Sequence, residues 1–242
     1  HVFYSQEIRR YAWTMLLALL SFFTLFQARP PDASTPFRPG WLPAHLLATA
    51  ALLATGLFTT ALLPVQALYL VWMRRATPPR WLAAWLGCAG LLVALQATYL
   101  ATLEPGEQVF WIPAAGWREL ANTLLVFAGG RFSNDSPAPW LPWSLNLDWL
   151  LAALLYAAAL AAAVRTLRGT PPADAATPAA SGTLLLWLVF PVLFWFAVSA
   201  LWRPLFLYRY LLFASFPLYL LAGLFAASLR PRARCVVVAV LV

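Results

Sequence analysis

Apolar positions in this chain fall in long unbroken runs rather than in alternation. They cover residues 11–27, 42–73, 81–103, 147–164, 184–202 and 205–229, and a further run opens at Cys235. Most of these runs approach the roughly 20 residues a helix needs to cross the hydrocarbon core of a bilayer. A membrane β-barrel would alternate apolar and polar side chains along each strand. Continuous runs predict helices instead, because a helix bonds every backbone amide internally where no water can help. Proline-rich breaks at 29–40, 76–80, 169–182 and 230–234 separate the runs, and proline cannot continue a helix. The pattern predicts an all-α, polytopic bundle of about seven transmembrane helices, forming one domain over residues 1–242. The 42–73 run reads equally as one long tilted helix or as a hairpin broken near 56–64.

The segment 104–146 is polar, rich in Trp and Pro, and too long for a simple turn. Within it, Trp117, Leu120, Ala121, Leu124, Leu125 and Ala128 recur at helical spacing, with Arg118, Glu119 and Asn122 opposite. This predicts a short amphipathic helix at about 117–128, lying in the membrane interface and ended by Gly129-Gly130. Trp111, Trp140, Trp143 and Trp149 fit an aromatic belt at headgroup level.

Composition agrees. Apolar residues make up 63% of the chain and charged ones 10%, against about 25% charged in soluble domains. All sixteen basic residues are Arg, a bias that fits a GC-rich bacterial genome. The net charge of +8 does not indicate nucleic acid, because the arginines sit scattered at span ends. Reading 42–73 as a hairpin and placing 104–146 outside puts ten arginines on the inner side and six on the outer. Of the eight acids, only Asp32 and Asp174 then lie inside. The positive-inside rule supports that orientation, although a single long helix gives the same count. Cys88 and Cys235 lie in apolar runs without metal or redox spacing, and read as small apolar residues. The chain opens on His1 and closes within an apolar run, so the expectation is a piece of a longer protein.

Candidate chemistry gathers at the start. Ser5, Gln6, Glu7, Arg9 and Arg10 form a polar cluster where the first span begins. Ionisable groups at such a boundary snorkel, pair or serve a site. Glu7 and Arg10, one turn apart, could simply pair on a charged helix end.

The segment Tyr4-Ser5-Gln6-Glu7, then Arg9 and Tyr11, entering an apolar helix, resembles the signature of bacterial family 39 glycosyltransferases. These are dolichyl-phosphate-mannose-protein mannosyltransferase-like membrane enzymes of the GT-C fold. Phe110-Trp111-Ile112-Pro113, Trp117-Arg118-Glu119-Leu120 and Phe127-Ala128-Gly129-Gly130 resemble that family's outer loop. Arg209-Tyr210-Leu211-Leu212, with Pro217 beyond it, resembles its late Arg-Tyr-Leu-Leu turn. Two departures stand out. Relatives often carry Tyr-Thr-His at the hairpin tip, where this chain has Phe58-Thr59-Thr60. The family's catalytic acid lies in a first outer loop upstream of residue 1, so this chain alone is expected to be inactive.

The resemblance implies transfer of a sugar from a polyprenyl-phosphate donor to a lipid, glycan or protein acceptor outside the bacterial cytoplasmic membrane. A carboxylate base would activate the acceptor, and cations would stabilise the departing phosphate. Donor-binding candidates are Ser5, Gln6, Glu7, Arg9, Tyr11, Arg209 and Tyr210. Arg209 leads, because a guanidinium grips phosphate oxygens in a fork and stays charged in a poorly hydrated site. The resemblance leaves room for a divalent metal ion, with Glu7 as its candidate ligand. Among other classes, a lipid or polysaccharide transporter or flippase also places Arg and Glu near the surface, but it typically shows internal repeats, and none is evident here.

Overall fold

The computed structural model describes residues 2–31, 35–73, 78–102, 115–130, 142–168, 177–202 and 204–229; for 2–9, 99–102 and 142–146 it describes the backbone alone. The described residues are helical, with no strand among them. Eight α-helices follow one another: α1 (Val2–Ala28), α2 (Leu42–Ala54), α3 (Leu62–Trp72), α4 (Pro79–Thr102), α5 (Trp117–Phe127), α6 (Pro142–Leu167), α7 (Pro178–Leu201) and α8 (Phe216–Ala227). Tight 3-10 turns at Pro39–Trp41, Leu57–Ala61 and Tyr208–Ala214 lead into α2, α3 and α8.

Proline starts several of these helices. Pro79, Pro142 and Pro178 open α4, α6 and α7, where a missing N–H costs nothing and the fixed φ suits the first turn. Thr177 caps α7 by accepting from Ala180 N–H at 3.3 Å. At the other extreme, α5 ends as the glycine pair predicts. Gly129 adopts φ +82°, its N–H donates to Val126 O and that of Gly130 to Leu125 O. These bonds satisfy carbonyls left open at a helix end, in a backbone conformation that favours glycine.

Among the described residues, four helices contain stretches long and apolar enough to cross a membrane: Arg10–Ala28, Pro79–Thr98, Leu147–Leu167 and Pro178–Leu201. A fifth arises if Tyr208–Ala214 and Phe216–Ala227, bent by 40°, act as one span. Large apolar side chains face outward along them, among them Trp13, Leu16, Phe23, Leu86, Leu91, Leu95, Leu154 and Leu193. Such a surface is too extensive for water, and it marks a membrane protein.

The ambiguous 42–73 run is a hairpin. Pro39–Ala54 and Leu57–Trp72 form two shorter apolar helices separated at Thr55-Gly56. Their directions follow from polar contacts with α1. On α2, His45 Nδ1 lies 3.5 Å from Thr24 Oγ1 and Thr49 Oγ1, one turn later, lies 2.8 Å from Ser21 Oγ, so α2 runs back along α1. On α3, Gln66 Nε2 donates to Ser21 Oγ at 2.7 Å, and Tyr69 OH donates to Arg29 O. Helix α3 therefore descends again beside α1. All these groups are buried, and away from water each polar group needs a protein partner. The seam through Ser21 thus sets the register of three helices.

Elsewhere small residues and rings set the packing. A Cβ on Gly182 would meet the Trp72 ring at 2.7 Å, so only glycine lets α7 approach α3 this closely. Phe22 stacks on Trp187 with centroids 4.0 Å apart, locking α1 to α7. Helix α6 packs on α8 and α7 and carries buried alanines at 158, 159, 162 and 163, the small residues favoured where membrane helices pack closely.

Helix α5 forms where the periodicity placed it, but its burial differs from the predicted apolar stripe. Thr123, Leu125 and Phe127 are its buried positions, while Trp117 is 79% exposed. The helix packs against the 208–214 turn and α6, with Tyr156 OH donating to Leu124 O at 2.9 Å. Protein covers side chains on more than one of its faces. Of the predicted tryptophan belt, Trp149 is exposed; Trp111, Trp140 and the Trp143 side chain lie outside the described residues.

Candidate functional site

At one end of the bundle, three distant segments converge on a notch. It is lined by Arg10, Tyr11, Thr14 and Met15 of α1, by Thr55, Gly56, Phe58 and Thr59 of the hairpin tip, and by Arg209, Tyr210, Leu212 and Phe213 of the late turn. Helix α1 contributes because its first apolar turn follows directly on Arg10-Tyr11. The hairpin tip contributes because α2 and α3 both end at this level.

Aromatic contacts tie the three segments together. The Tyr210 ring stacks on Phe58 with centroids 4.6 Å apart and planes at 18°. It lies 6.1 Å from the Tyr11 ring. The Arg209 guanidinium carbon sits 5.5 Å from the centroid of Tyr210, within cation–π range. Trp195 of α7 fixes the arrangement from behind: its Nε1–H donates to Phe58 O at 2.9 Å, and its ring lies 4.8 Å from that of Phe58. Ser199, one turn further along α7, has its hydroxyl oxygen accept from the N–H groups of Leu205 and Phe206 at 2.9 and 3.0 Å. That double bond anchors the turn just before Arg209.

The notch encloses about 40 Å³, space for a small polar group and far below the roughly 300 Å³ of the smaller drug-sized pockets. A second hollow adjoins it and shares Gly56. This groove of about 340 Å³ is lined by Leu53, Ala54, Leu57, Leu92, Leu95 and Gln96, and runs between the hairpin and α4. Gln96 Nε2 donates to Leu53 O, bridging α4 to the end of α2; the remaining lining is apolar. A charged notch beside an apolar slot suits a ligand with a polar head and a hydrocarbon tail.

Of the residues singled out from sequence, Tyr11, Arg209 and Tyr210 meet in the notch. Ser5, Gln6, Glu7 and Arg9 lie on the first turns of α1, and their side chains lie outside the described residues. The described lining offers two guanidiniums and no carboxylate, a donor set for an anion and not for a divalent cation. Among the described residues no group of three or more His, Cys, Asp or Glu could hold a metal ion. Sequence reasoning placed Arg10 in the opening polar cluster without selecting it as a binding residue, and did not select Thr55, Phe58, Thr59, Trp195 or Ser199. The one signal available was that Phe58-Thr59-Thr60 differs from the pattern of the family the sequence resembles.

The chain matches no protein-family model, no curated protein and no solved structure.

Proposed function

We propose that this chain is the membrane domain of a glycosyltransferase that takes a sugar from a polyprenyl-phosphate donor at the outer face of a bacterial cytoplasmic membrane. The observation that carries the reading is the convergence of Arg10 and Tyr11 with Arg209 and Tyr210 in one notch, beside an apolar groove that shares Gly56. Two of the sequence segments that resemble family 39 glycosyltransferases, those around Tyr11 and Arg209, contribute to the notch. In this reading the two arginines hold the phosphate, the rings of Tyr11, Phe58 and Tyr210 face the sugar, and the groove between the hairpin and α4 takes the first isoprene units. Cation pairs of this kind matter most as the sugar–oxygen bond breaks and negative charge gathers on the leaving phosphate. The catalytic base belongs to the upstream outer loop.

The same reading takes the fold as GT-C, with seven crossings: α1, α2, α3, α4, α6, α7 and the bent 208–227 segment. Each hairpin arm, at roughly 24 Å for 16 residues, falls a little short of the roughly 30 Å core, and the tip then sits at the floor of a depression in the outer surface.

The test uses the full-length protein in nanodiscs. Polyprenyl monophosphate should raise its melting temperature while the corresponding polyprenol should not, and Arg209→Ala should remove the difference. Equal responses to the phosphate and the alcohol would reject the donor assignment.

A further inference from the structure

The opposite end of the bundle holds a second cationic cluster that the proposed reaction does not use. Arg29, just after α1, is fully buried. Its Nη1 donates to Thr35 O at 2.9 Å, whereas Nε and Nη2 have no hydrogen-bond partner among the described residues. The Arg38 N–H donates to Ala28 O at 2.9 Å, which folds the loop back against the end of α1. The Arg38 side chain is exposed. Next to it, Phe37 meets Trp81 edge-on with centroids 5.4 Å apart, and this contact brings the exposed Arg80 of α4 to the same corner. Trp81 is 3% exposed, and its Nε1–H also lacks a partner.

The unsatisfied atoms of Arg29 and Trp81 are donors, His45 Nε2 on a ring 6.1 Å from that of Trp81 is also unpaired among the described residues, and three of the corner's four residues carry fixed positive charge. A buried guanidinium without an acceptor is strongly unfavourable. The complementary ligand is an anion with several oxygens, and phosphate fits the planar fork of Arg better than a point acceptor does. Position selects its source. The corner lies where α1, α2 and α4 end, beside the exposed Trp41, whose ring packs on Phe23 at 6.0 Å. Indole rings at span ends mark headgroup level, and the outward leucines Leu47 and Leu86 offer a surface for acyl chains.

We propose that the corner formed by Arg29, Arg38, Arg80 and Trp81 binds the phosphodiester of an anionic phospholipid in the leaflet opposite the Arg209 notch. Arg38 and Arg80 receive the headgroup, and Arg29 and Trp81 place their unpaired donors beneath it. The lipid thereby fastens the α1–α2 loop to α4. Asp32, the acid nearest in sequence, lies outside the described residues, and a charge-neutral variant tests whether it serves instead.

Native mass spectrometry of the full-length protein, with dioleoyl phosphatidylglycerol and phosphatidylcholine as competing probes, decides the matter. One phosphatidylglycerol should be retained preferentially. The double variant Arg38→Gln/Arg80→Gln, both on the surface, should weaken that retention about 30-fold, from about 1 kcal/mol per arginine near a headgroup. Arg29→Gln should abolish the preference; if that variant does not fold, the surface pair alone decides. Asp32→Asn should leave retention unchanged. Equal retention of the two lipids, an unaffected surface pair, or a marked gain of retention in Asp32→Asn, which would show that Asp32 already pairs with these arginines, would overturn the proposal. Full competition by millimolar inorganic phosphate would also overturn it, by making the ligand a free anion.

Discussion

The Tyr11 and Tyr210 rings, near opposite ends of the sequence, lie 6.1 Å apart at 48° to one another. Nothing local brings them together. Tyr11 is carried by the first turns of α1, and Tyr210 by a 3-10 turn that Ser199 and Phe58 hold in place. A pair of rings at this distance couples by about 0.5–1.5 kcal/mol. A double-mutant cycle of Tyr11→Leu and Tyr210→Leu, read as thermal stability in detergent, should return a coupling in that range. Strict additivity would mean that the two segments do not meet in the membrane-extracted protein.

Arg209 carries the sharpest functional expectation. On the glycosyltransferase reading proposed above, Arg209→Ala in the full-length protein should lower kcat by about 10²–10³, by analogy with removing one oxyanion donor, while expression and insertion stay near normal. Arg209→Lys should recover only part of the loss, because an ammonium supplies charge without the fork. Near-wild-type turnover of Arg209→Ala at saturating donor would return Arg209 to a snorkelling helix-end cation.

Ser199 and Trp195 hold the site without lining it. Ser199→Ala strips two backbone N–H groups of their acceptor, and an orphaned buried donor costs about 1–3 kcal/mol. Trp195→Phe leaves the Phe58 carbonyl without its donor and shrinks a side chain that is 4% exposed, so it too should cost about 1–3 kcal/mol. Both variants should melt below the parent protein. An unchanged melting temperature for Ser199→Ala would show that water replaces the serine hydroxyl and that the turn is not anchored there.

Topology can be read by labelling. In intact cells, an impermeant maleimide should modify cysteines placed at Arg118 and at Thr55, which share the Arg209 end of the bundle. It should spare one placed at Arg168, near the Arg165–Ser228 contact at the other end. Protection at Thr55 with labelling at Arg118 would contradict the hairpin and restore a single long helix over 42–73.

The unbroken apolar runs, the proline breaks and the glycine pair after Phe127 determined a great deal without any coordinates. They specify an all-helical membrane protein, the approximate limits of its long spans, and the helix at 117–127. These features depend on local chemistry: whether an amide can bond within its own helix, where proline removes a donor, and where glycine permits a positive φ. Tertiary structure decided whether 42–73 crosses once or twice, because Leu-rich arms read alike in either case and only the contacts of His45 with Thr24, of Thr49 and Gln66 with Ser21 and of Tyr69 with Arg29 reveal their directions. It also decided which faces of α5 are covered. Most of the notch was illegible for the same reason. A Trp and a Ser on an apolar helix carry no signal in sequence, and the Phe at the hairpin tip carries only its difference from a family pattern, since their roles come from hydrogen bonds and ring contacts with segments far along the chain. Charge was legible as a type of residue and not as a place. The sequence names sixteen arginines, and folding brings Arg10 and Arg209 to one notch while burying Arg29 at the other end of the bundle.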